Sequence, residues 1–111
     1  MPTDPVMQAL TDRSAYQEAY RDFMVAAALL QTDFEPARLK RLEACVRACL
    51  TAYNKCRQAW LQMPLSDGAL VSRIMSGLTP KASRRVRGQR LSILTEYLTM
   101  LRDQLERQAG S

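Results

Sequence analysis

Between Pro36 and Met63 the apolar residues Leu39, Leu42, Val46, Cys49, Tyr53, Cys56, Trp60 and Met63 follow one another at steps of 3, 4, 3, 4, 3, 4 and 3. That spacing keeps all of them on one helical face, whereas a strand would alternate with period two. It predicts a helix over 36–63, roughly 40 Å long at 1.5 Å per residue. Lys40, Arg41, Arg47, Asn54, Lys55, Gln58 and Gln62 fall outside the seam and make a solvated face. Pro36 suits only the first turn, and Pro64 closes the helix because proline disfavours helical geometry in the residue before it.

The same period returns on both sides. Tyr16, Ala19, Phe23, Ala26 and Leu30 predict a helix over 14–31, opened by Ser14 with Gln17 at capping-box spacing. Residues 1–13 are weakly specified, although Asp4-Pro5 is able to start a short turn. Thr32 and Glu35 then signal the next helix, and so short a connection makes the first two helices antiparallel neighbours. Ser66 as cap, Asp67 at the positive end of the dipole and Gly77 as a left-handed stop predict a short helix over 66–76. Leu70, Val71, Ile74 and Met75 are its buried side. Thr79-Pro80 opens a last helix over 80–108, in which Leu91, Leu94, Leu98, Leu101 and Leu105 again step by 3 and 4. Gly88 is its weak point, costing about 1 kcal/mol relative to Ala.

These elements predict an all-α fold: an antiparallel helical bundle of three long helices plus one short helix, in one domain over 1–111 with a tail at 109–111. The short helix cannot cover the full seams of its neighbours. Part of the central seam at Tyr53, Trp60 and Met63 is therefore expected to stay open as a partner or dimer surface.

Charge adds a second feature. The net charge of +5 is concentrated in the middle of the chain: residues 44–95 hold one acid, Asp67, against nine bases. Arg73, Lys81, Ser83, Arg84, Arg85, Arg87 and Arg90 are the candidate anion- or partner-binding residues. Cations at a helix N-terminus oppose the macrodipole, yet that terminus offers backbone N–H groups that suit phosphate or carboxylate. An acidic protein surface and a nucleic-acid backbone both fit such a cluster. Little aromatic interleaving accompanies it, which argues against a stacking platform for single strands.

The fragment Ser66-Asp67-Gly68-Ala69-Leu70-Val71-Ser72-Arg73-Ile74-Met75-Ser76-Gly77 resembles the recognition helix of phage-repressor-type helix-turn-helix domains, mainly through Ser72-Arg73-Ile74 and the closing Gly77. It covers about a tenth of the chain. The resemblance implies that Ser72 and Arg73 face a DNA groove. In that family a short helix and a Gly-containing tight turn precede the fragment, whereas here the predicted long helix ends at Met63-Pro64.

Chemistry has little to work with. Three cysteines and no histidine fall short of the four ligands of a closed zinc site. Cys49 and Cys56 sit on the apolar seam as small hydrophobes, and Cys45, one turn from Arg41, is the most reactive candidate of the three thiols. No general-base histidine, phosphate loop or nucleophile elbow is present, so no catalytic residue, metal or cofactor is expected. No secretory signal or membrane-spanning run is read, which with an odd cysteine count points to a reducing cytoplasm. The expected function is that of a small non-catalytic regulator, adaptor or chaperone that binds a protein partner or itself. Nucleic-acid binding through 73–90 is the alternative.

Overall fold

The computed structural model describes residues 4–110, and among these the regular elements are four helices and no strand. They are α1 (Pro5–Thr32), α2 (Pro36–Cys56), α3 (Gly68–Ser76) and α4 (Arg84–Gly110). Each helix runs against the one before it. Cys56 at the end of α2 reaches Ala9 at the start of α1. Asp67, just before α3, meets Tyr97 on α4, while Arg73 meets Arg90. Arg13 of α1 meets Glu106 near the end of α4. The result is an up-down-up-down bundle measuring 50 × 22 × 20 Å.

The apolar stripes meet along its axis. Tyr16, Phe23 and Leu30 of α1, Leu42, Val46, Cys49 and Tyr53 of α2, and Leu91, Leu94, Leu98, Leu101 and Leu105 of α4 form one core. Val71 and Ile74 of α3 and the linker residues Met63 and Leu78 complete it. Burying side chains of this size supplies the main driving force for folding.

Helix ends differ from expectation for identifiable reasons. α1 begins at Pro5, so Ser14 is no cap: its hydroxyl donates back to the Leu10 carbonyl, and Gln17 reaches across to Glu106. Burial of Ala9 and Asp12 extends the core into the segment expected to fray; residues 1–3 of that segment lie outside those described, as does Ser111 of the expected tail. α2 ends at Cys56 rather than Met63. Beyond it the chain turns, tied down by Tyr53 Oη donating to the Pro64 carbonyl (2.5 Å) and Arg57 Nε donating to the Met63 carbonyl (2.7 Å).

α3 is capped by Asp67, whose carboxylate accepts from the Leu70 amide, while Ser66 donates to Asn54. Gly77 closes it in right-handed geometry (φ −85°), not left-handed. Its missing side chain leaves room for Arg90: a Cβ there would lie 2.6 Å from Arg90 Nε and displace that side chain. α4 starts at Arg84 because Ser83 Oγ accepts from the Val86 amide, leaving Thr79–Ala82 as a separate turn.

Candidate functional site

α1 and α4 are joined firmly over one half of their length. Arg13 grips Glu106 with Nε at 3.1 Å and Nη2 at 2.5 Å, and Gln17 donates to the same carboxylate at 2.8 Å. Tyr16 Oη donates to the Leu98 carbonyl, Tyr20 and Thr99 share a 2.7 Å hydroxyl contact, and the Arg102 guanidinium stacks 5.0 Å over the Tyr20 ring. The Arg13 hydrogen bonds first, then that of Gln17 and the nearby Arg13 and Arg102 charges, hold the Glu106 carboxyl below its ordinary range against the opposing effect of burial.

Toward the other end the two helices part. A solvent-open groove of about 890 Å³ lies between the end of α1 and the start of α4. Leu30, Asp33 and Phe34 form one wall; Arg84, Gly88, Leu91 and Ile93 belong to the other. Gly88 contributes by absence: a Cβ built on it meets nothing within 4 Å, so the groove extends over its backbone. Arg87 bridges the walls, its guanidinium 4.4 Å over the Phe34 ring.

The basic cluster divides into two sets. Arg87 donates to the Ala82 carbonyl (2.9 Å) and Arg90 to the Arg73 carbonyl (2.9 Å). Both therefore hold the turns around α3 and α4 in place, and Ser83 is committed to capping. Arg73, Lys81, Arg84 and Arg85 are exposed and form no ion pair among the described residues. Of the cluster, Arg84 and Arg87 line the groove.

The expected seam surface is not open. Tyr53 and Met63 are fully buried and Trp60 half-buried, because the chain from Arg57 to Ser66 folds over the seam that α3 fails to cover. Ser72 and Arg73 are exposed on α3, but irregular chain from Arg57 to Asp67 separates α3 from α2. The tight turn that orients a recognition helix is missing there.

The thiols are free and muted. Burial pushes Cys49 up to about 12 and Cys56 up to about 11. Burial also raises Cys45, with Asp22 adding to the shift and Arg41 opposing it. All three therefore stay protonated near neutrality, including the one that Arg41 was expected to activate. No group of three potential metal ligands occurs among the described residues. Nor is any of their helices long and apolar enough to cross a membrane.

Leu30, Phe34, Gly88 and Ile93 were not singled out as a site from sequence. The available signal was Gly88, a glycine inside an otherwise regular helix, which is either a defect or a place where space is needed. Comparison with known proteins adds no relative: no family model, curated protein or solved structure matches the chain.

Proposed function

We propose that this chain is a non-catalytic binding protein whose α1–α4 groove receives an amphipathic, acidic helix of a protein partner. The single observation that carries this reading is the groove itself. It combines an apolar base, a floor kept clear by Gly88, and the unpaired cation Arg84 on its α4 wall. Helix-in-groove recognition needs apolar anchors one turn apart and a polar edge that fixes orientation. Phe34 and Ile93, backed by the buried Leu30 and Leu91, offer the first, and Arg84, with Lys81 and Arg85 nearby in the chain, offers the second. The muted thiols fit a binding role in a reducing compartment better than a redox one.

The groove lining is mixed, with Gln31, Thr32, Asp33, Gln89 and Ser92 beside Phe34 and Ile93, and such a surface favours a protein helix over a nucleic-acid backbone, which is held mainly through phosphate and sugar contacts. Two of the cluster's arginines are also occupied by backbone carbonyls. The test uses a synthetic amphipathic helix with Leu at i and i+4 and Glu beside them, a copy with Lys for Glu, and a DNA duplex. The acidic helix is expected to bind most tightly, and Gly88→Phe, which fills the floor, is expected to abolish that binding with the fold intact. Tighter binding of the duplex, or acidic-helix binding unchanged by Gly88→Phe, would reject the groove reading.

A further inference from the structure

One face of α4, bordering the groove, carries apolar residues that the described residues leave partly exposed. Val86, Ile93 and Met100 stand seven residues apart and are 38%, 48% and 43% exposed. At about 100° per residue, seven residues return a side chain to within about 20° of the same direction, so the three form one stripe. Gly88, the floor of the groove, points some 160° away from Val86 around the helix. The stripe therefore runs along the edge of the groove, and Ile93 and the flanking Gln89 belong to both.

The residues flanking the stripe are self-complementary. Arg85, Gln89, Glu96 and Asp103 all project on the same side of it, bases and amide in the first half, acids in the second. We propose that α4 pairs with α4 of a second copy, antiparallel, about a two-fold axis at Ile93. Ile93 then meets its own twin, and Val86 meets Met100 of the second copy. Two-fold pairing of antiparallel helices sets each flank against itself. Asp103 consequently faces the second copy's Arg85 and Glu96 faces its Gln89, each contact formed twice.

A parallel pairing would instead set this flank against the opposite flank of the second copy, as e and g positions meet in parallel coiled coils, and Arg85 would not face Asp103. Within one chain Arg85 makes no ion pair among the described residues, and Asp103 has only an exposed contact with its neighbour Arg102 at 3.3 Å. Both are thus available to the second copy. The strip is narrow compared with the interfaces of permanent dimers, so association is concentration-dependent and weakens as salt screens the flanking pairs.

Sedimentation equilibrium over rising concentration tests this. The expected result is a mass that climbs from the 12.6 kDa of one chain towards twice that value. Ile93→Glu, at an exposed position, is expected to weaken association at least about tenfold with unchanged circular dichroism. Arg85→Asp alone and Asp103→Arg alone are each expected to weaken it, and the two changes together to restore it. The restoration reads the register even if Ile93→Glu were to disturb folding. A mass that stays at one chain throughout, or a double variant no better than the singles, would overturn the proposal.

Discussion

The two halves of the α1–α4 contact are built from the same kinds of helix and behave oppositely. In one half Tyr16, Tyr20, Arg13 and Gln17 each reach a specific atom on α4, and Leu98, Leu101 and Leu105 are almost completely buried. In the other half one cation–π contact, Arg87 on Phe34, spans a groove, and Gly88 leaves its floor empty. The lesson is a division of labour. The packed half holds the bundle, and the parted half leaves apolar surface exposed beside Arg84, a cation with no ion pair among the described residues. An opening of this kind weakens the fold unless something occupies it.

Substitutions that separate the halves sharpen the contrast. The largest effect is expected at Leu98, fully buried in the packed half: Leu98→Ala should cost about 3 kcal/mol in urea unfolding, from lost burial plus the cavity left behind. A loss below about 0.5 kcal/mol, the usual range for surface changes, would place Leu98 outside the core. Next comes Tyr16→Phe, which removes the hydroxyl bonded to the Leu98 carbonyl and should cost about 1 kcal/mol. In the parted half the sign reverses. Gly88→Ala should stabilise the protein by up to about 1 kcal/mol, because the methyl enters open space and alanine favours the helix. A loss of stability there would mean that the groove floor is not free.

The smallest effect is electrostatic. Glu106 has a folded-state pKa below its ordinary 4.5, held down first by Arg13. A lowered carboxyl pKa contributes stability above the ordinary value and loses it as pH falls through the folded one. Wild type should therefore lose slightly more stability than Glu106→Gln on acidification below 4.5. The pair is partly exposed, at 28% and 40%, so solvent screening keeps the difference small. Parallel acid profiles for the two proteins would show that the Arg13–Glu106 contact contributes nothing.

Much of the architecture is legible from spacing. The leucines from Leu91 to Leu105 are buried as their 3/4 rhythm requires, and the stripe from Tyr16 to Leu30 packs as read. Helix ends are less legible, since local signals compete with contacts from distant residues. Trp60 and Met63 continue the rhythm of α2 although the helix has stopped, because a turn pinned by Tyr53 and Arg57 happens to half-bury the first and bury the second at the same interval. Ser14 and Gln17 match a capping box, but a cap acts only where a helix begins, and the buried Ala9 continues α1 past them. The candidate site was half legible. The charges at Arg84 and Arg85 stand out in one dimension, whereas Leu30 and Phe34 join Gly88 only after α1 and α4 have been aligned and parted. Nor does composition reveal that Arg87 and Arg90 are spent on backbone carbonyls.

Amide hydrogen exchange with and without the synthetic acidic helix compares the two halves in one experiment. If the parted half is the binding surface, added helix slows exchange in the last turn of α1 around Leu30 and in α4 from Arg87 to Ile93, leaving the amides near Tyr16 and Leu98 unchanged. Slowing confined to the packed half, or no change anywhere at saturating peptide, would contradict it.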